Sequence, residues 1–117
     1  MLIFVLLTTL FTANDLKQQC ASTLPTDRSF CLGYLTGFEH AVSYTTAVTT
    51  AIVDRAVEDY QGIIGCNTEG VTIEQMRLVF LKYVENHPEQ LHLPAYYVLS
   101  KAMLSAFPCR ADKGERR

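Results

Sequence analysis

The chain has 117 residues, 49% of them apolar, and a formal net charge of −2; that suits one small domain with its own core and excludes general disorder. Residues 14–109 carry six bases against ten acids, a net of −4, which argues against nucleic acid, because neutralising phosphates needs a basic surface. A mildly acidic body fits a basic protein partner.

The first segment, MLIFVLLTTLFTA, is an uncharged apolar run. It is shorter than the roughly 20 residues of a membrane span and matches the apolar region of a signal peptide in length. No Lys or Arg precedes it, and bulky Phe11 lies two places before Ala13, where a small residue suits a cleavage site. The expected organisation is a leader over 1–13, a helical domain over 14–109 and a flexible charged tail, RADKGERR, over 110–117. The competing reading of the first segment is a buried N-terminal helix. Once the leader is removed, no stable membrane insertion is expected.

Residues 14–22, NDLKQQCAS, are predicted as a short first helix with Asn14 as N-cap, broken by TLPT. Thr26 or Asp27 is expected to cap a second helix that begins at RSFCLGYLTGF. Cys31, Leu35, Phe38 and Val42 recur on one helical face. Gly33 and Gly37 weaken a helix interior, so this pair predicts close backbone approach to a neighbour. Residues 43–60, SYTTAVTTAIVDRAVEDY, hold β-branched residues that favour strand, while Val48, Ile52 and Ala56 suit a helix, which is the preferred reading. QGIIGCNTEG, with three glycines, is predicted as a loop.

Thr72-Ile-Glu-Gln75 matches a capping box and opens a third helix. Ile73, Met76, Phe80 and Tyr83 follow at helical spacing, and Pro88 sets its end. A fourth helix starts with Pro94 in its first turn and stops before Pro108. Ala95, Leu99, Ala102 and Ala106 give it a small-residue stripe suited to close packing. The predicted fold class is all-α, a compact bundle of about four to five helices with disulfides.

YVENHPEQLHLPA, residues 83–95, concentrates two His, two Glu and two Pro. Zinc hydrolases of the HExxH type hold their histidines four apart on one helix. His87 and His92 are five apart, about 140° around an ideal helix, with Pro88 between them, and His40 is remote. No metal site, catalytic set or cofactor is expected, and the stretch reads as a structural corner in which Pro88 opens a short turn with Glu89 near its positive end. GIIGCNTEG lacks the Lys and spacing of a phosphate-binding loop.

Cys20, Cys31, Cys66 and Cys109 form no CxxC pair. In a short exported chain they read as two disulfides; four free buried thiols are the alternative. An up-down bundle brings Cys66, before the third helix, to the end where the fourth finishes at Cys109, while Cys20 and Cys31 flank the first turn. That topology favours Cys20–Cys31 with Cys66–Cys109, and Cys31–Cys109 remains the main rival.

FCLGYLTGF, CNTEGVTIEQM, YVENHPEQLHLPA and AFPC, in this order and spacing over about residues 20–109, resemble the Rap/Tai family of immunity proteins. One departure is Thr68, where the family commonly has a proline two places after the cysteine. The resemblance implies an exported, helical, disulfide-containing periplasmic protein, often a dimer. It implies a cognate partner, a type VI secretion amidase effector that cuts the peptide part of peptidoglycan and whose cleft the antidote blocks.

Such occlusion needs a protruding loop with a few buried anchors. Segment 58–70, EDYQGIIGCNTEG, is the candidate, with Tyr60, Ile63 and Ile64 as apolar anchors, Glu58, Asp59 and Glu69 as acids, and Cys66 to hold the loop in its bound shape. The plainer reading of this segment is a connector with its apolar residues tucked into the core. The alternative function is a small periplasmic helical protein with a holdase or general envelope-stress role.

Overall fold

Four helices follow one another in the computed structural model, which describes residues 10–53 and 65–109, with side chains over 10–48 and 65–109. They are α1 (Ala13–Ala21), α2 (Pro25–Val53), α3 (Ile73–Asn86) and α4 (Ala95–Ala106), with a 3₁₀ turn at Pro88–Gln90. The architecture is an all-α bundle, with an isolated bridge between Thr12 and Pro94 as the one piece of strand-like pairing among the described residues.

The first helix starts two residues earlier than its apolar lead suggested. Thr12, not Asn14, is the N-cap: its Oγ1 accepts from the Asp15 N–H at 3.2 Å, and its own N–H donates to Asp15 Oδ2 at 3.0 Å. This reciprocal box satisfies two donors that a helix start would otherwise leave open. Phe11, Thr12 and Ala13, which a boundary at 13/14 would assign to a leader, are thereby built into the domain. Ala13 is fully buried. The Ala13 and Asn14 N–H groups donate to the Leu93 and Leu91 carbonyls, and Ala95 N–H donates to the Phe11 carbonyl. The Phe11 ring packs on Phe30 and Tyr34 of α2, with centroids 5.6 and 5.4 Å away. Burial pushes the Tyr34 phenol pKa up, with a further push from Tyr96.

The second helix begins at Pro25, whose fixed φ suits a first helical position. Arg28 N–H bonds back to the Leu24 carbonyl, and Leu24 N–H to Ser22 Oγ. Thr26 and Asp27 therefore lie inside the first turn rather than capping it, and Asp27 there complements the positive helix end. The Thr- and Val-rich stretch continues the same helix as far as Val53; residues 54–60 lie outside the described part. Gly33 and Gly37 correct an expectation. A Cβ built on either meets nothing within 4 Å among the described residues, so none of these neighbours needs the missing side chain. The pair lies on the outward face of α2: Gly33 and Gly37 are exposed, while Cys31 and Leu35, two residues away, are buried in the core. Ala41, Tyr44, Thr45 and Ala47 on the later half of α2 are exposed.

The core is the meeting of α1 with the other three helices. Leu16 and Cys20 of α1, Cys31 and Leu35 of α2, Met76, Phe80 and Val84 of α3, and Val98, Leu99 and Met103 of α4 are all buried. The fourth helix has Pro94 at its N-cap position, one residue earlier than the expected first turn. Of its small-residue stripe, Ala95, Leu99 and Ala102 pack into the core, while Ala106 is exposed.

The α1–α3 junction is held by charge. Arg77 on α3 donates through Nη1 to the Cys20 carbonyl at 2.8 Å, supplying a cation at the end of a helix that has no base in its own last turn. Its other nitrogens bind Glu74, which also lies 3.8 Å from Arg28. The hydrogen bond from Arg77, aided by the Arg77 and Arg28 charges, holds the Glu74 carboxyl below its ordinary pKa of 4.5. A carboxyl lowered on folding stabilises the fold above its unfolded pKa and loses that contribution as pH falls through its folded value. Thermal melts between pH 6 and pH 3 should therefore show Tm declining more steeply in the parent than in Glu74→Gln below pH 4.5. Parallel declines would show that this triad does not contribute. The effect is modest because Glu74 is exposed.

Candidate functional site

Between α2 and α3 the chain turns through a rigid knuckle at residues 65–70. Gly65, Asn67 and Gly70 have φ of +93°, +58° and +84°, so three of six residues use the left-handed region that ordinary side chains avoid. Gly65 is buried, and a Cβ there would lie 2.9 Å from both the Met103 and Phe107 carbonyl oxygens. Cys66 N–H donates to the Phe107 carbonyl at 2.8 Å. Cys66 is bonded to Cys109, and Cys20 to Cys31; the rival pairing Cys31–Cys109 does not form. The knuckle is thus fastened to the end of α4 by a covalent bond, a hydrogen bond and a glycine that admits close contact.

Gly65→Ala should cost about 2–3 kcal/mol, because it adds left-handed strain to a collision with backbone that cannot swing away. Gly70→Ala, strained but in open space, should cost about 1 kcal/mol. Urea denaturation of the two variants checks the order; equal losses would mean that close packing at Gly65 has no energetic role.

Of the predicted contact residues, Glu58, Asp59, Tyr60, Ile63 and Ile64 lie outside the described residues. Glu69 is exposed on the knuckle. Beside it is a cleft of about 320 Å³, walled by Glu39, His40 and Ser43 of α2 and by Thr68, Val71 and Met76. Thr68 contributes its carbonyl to the Val71 N–H at 3.1 Å, and this bond helps to shape the turn leading into α3.

At α3's start, Thr72 Oγ1 accepts from the Gln75 N–H at 3.0 Å. This is one half of the expected box; Gln75 makes no return bond to the Thr72 N–H among the described residues. The α3 helix ends at Asn86, before Pro88. The corner that follows is built for support. Pro88 opens the 3₁₀ turn. His87 stacks on Tyr83 at 4.1 Å and its Nδ1 lies 3.1 Å from Glu89 Oε2. Glu89 is held below the usual carboxylate range by its own backbone N–H and by His87. Tyr83 Oη reaches Gln90 Oε1 at 3.2 Å. The carbonyls of Leu91 and Leu93 then receive the N-terminal segment. His92 and His40 are exposed. Among the described residues no group of three His, Cys, Asp or Glu is placed to hold a metal ion, and no helix is long and apolar enough to cross a membrane. Sequence reasoning missed the N-terminal strap over this corner, although Thr12 and Asp15 have the spacing that signals it.

The family model described as Rap1a immunity proteins matches residues 12–109, beginning at the helix cap and ending at the last cysteine. No curated protein and no solved structure matches the chain.

Proposed function

Because the chain belongs to the Rap1a immunity protein family, whose members are inhibitors rather than enzymes, we propose that it is an exported antidote acting in the periplasm. Its partner in this reading is a type VI secretion amidase effector that cuts the peptide part of peptidoglycan. The antidote binds that effector and covers its active-site cleft, either alone or as a homodimer.

The observation that carries the reading, beyond membership itself, is the knuckle at residues 65–70. A segment anchored through Cys66–Cys109 and through Gly65 has already lost much of the freedom that binding would otherwise remove. Two disulfides in a chain of this length suit an oxidising compartment. Export in this reading removes the leader upstream of Phe11, leaving the cap of α1 in the mature protein. Tyr60, Ile63 and Ile64 insert, and Glu58, Asp59 and Glu69 steer the approach to a basic rim.

Calorimetric titration of the oxidised protein into the amidase of its own strain, with peptidoglycan hydrolysis followed in parallel, tests this. The expected result is a stoichiometric complex without turnover. Tyr60→Ala should weaken it by about 2 kcal/mol, roughly thirtyfold, as loss of a central aromatic anchor does. Absence of a complex with an active amidase, or weak binding spread over unfolded proteins, would overturn the reading in favour of a holdase.

A further inference from the structure

The outer seam between α3 and α4 is open where the two helices could have closed. Two clefts of about 290 and 570 Å³ run along it and share Tyr83, His87 and Ser105. The opening has a simple origin. Val79 and Tyr83 of α3 face Ala102, Ser105 and Ala106 of α4, and the short side chains on α4 do not fill the gap. Ala106 belongs to the stripe that promised close packing; in the fold it is exposed and walls the groove instead. The floor is fixed, because Tyr83 is stacked on His87 and bonded to Gln90.

The charges at the rim have one sign. Lys82 lines the first cleft and Lys101 the second, and among the described residues no Asp or Glu lines either. Glu89 is hydrogen-bonded to its own backbone and to His87, and exposed Glu85, three residues after Lys82 on α3, lines neither cleft. Among the described residues Arg28 and Arg77 are engaged with Glu74, whereas Lys82 and Lys101 have no carboxylate partner. Lys101 rests over the Tyr97 ring, 5.5 Å from its centroid, which keeps its ammonium at the groove edge. In a body of net charge −4, this concentrates spare positive charge beside an apolar slot.

We propose that this seam is a docking groove for an acidic segment of a partner protein: an apolar side chain entering between Tyr83 and Ala106, with carboxylates on either side meeting Lys82 and Lys101. Charge complementarity selects the segment, and the apolar slot gives it register. None of the residues lining the two clefts belongs to the knuckle, so the groove provides a second point of attachment. The proposal does not depend on the partner being an amidase.

The test is a nuclear magnetic resonance titration of the labelled, oxidised protein with two blocked octapeptides, GDELFDEG and its basic counterpart GKKLFKKG. The expected result is saturable shifts at Val79, Tyr83, Ser105 and Ala106 with the acidic peptide only. Lys82→Glu with Lys101→Glu should weaken binding by about tenfold or more, and added salt should weaken it in the parent. Ala106→Trp, at an exposed position, should block it sterically. Equal response to both peptides, shifts elsewhere, or no saturation would overturn the proposal. If the acidic peptide does not bind while an amidase complex forms regardless of the lysine swap, the groove proposal falls and the immunity reading stands. An acidic peptide seated in the groove of a protein that binds no amidase would do the reverse.

Discussion

A chain shortened to begin at Asn14 should lose about 4 kcal/mol of stability relative to one beginning at Leu10. The residues removed do four separate jobs. Thr12 caps α1, a role worth about 1 kcal/mol. Ala13 N–H and the Phe11 carbonyl bind Leu93 and Ala95, each bond contributing about 1 kcal/mol. The half-buried Phe11 ring contributes about 1 kcal/mol or more against Phe30 and Tyr34. A small domain has only about 5–15 kcal/mol in total, and for one of this size each kcal/mol moves Tm by roughly 4–8 °C. Thermal melts followed by circular dichroism should therefore separate the two proteins by roughly 15–30 °C. Matching melts would show that the 10–13 strap is decoration. The same comparison bears on processing, because cleavage after Ala13 would release the weaker form.

The second large effect concerns the buried disulfide. Cys20 and Cys31 are fully buried and eleven residues apart. Replacing both with alanine frees the unfolded chain, a loss of about 3 kcal/mol for a loop of this length. It also removes two sulfurs from the junction of α1, α2 and Arg77, where cavity formation adds about 1–2 kcal/mol. A total of about 4–5 kcal/mol should appear in urea denaturation under oxidising conditions. A loss below about 1 kcal/mol would mean that the Arg77 bond to the Cys20 carbonyl and the core hold this corner unaided.

Some of this architecture was legible from residue patterns and some was not, for identifiable reasons. The third helix declared both ends, with Thr72 at its start and Pro88 past its finish, because caps and prolines act locally. The turn in the HPEQLH corner was readable because a proline cannot continue α3 and opens a short turn instead. The cap of α1 was hidden by its surroundings: Thr12 ends an apolar run that resembles a leader, and its partner at the third position is Asp15 rather than the usual Glu or Gln. The Gly33–Gly37 pair misled because spacing reports which residues share a face, not whether anything lies opposite. Similarly, the small residues of α4 are silent about whether they admit a neighbour or leave a groove, since that depends on the length and reach of α3 side chains.

The two disulfides divide the polypeptide into two closed rings, the open stretch that joins them and the two ends. One ring spans Cys20 to Cys31 and the other Cys66 to Cys109; residues 32–65 join them and include the exposed length of α2. The position of a single peptide-bond break therefore determines whether the chain stays whole. A protease that cuts between residues 67 and 108 leaves one molecule until reductant is added. A cut between 32 and 65 yields two fragments held only by the core, which separate on a denaturing gel without reductant. The open stretch 32–65 holds most of the segment proposed to enter an effector's cleft, so the larger part of the contact region lies where no covalent ring protects the chain.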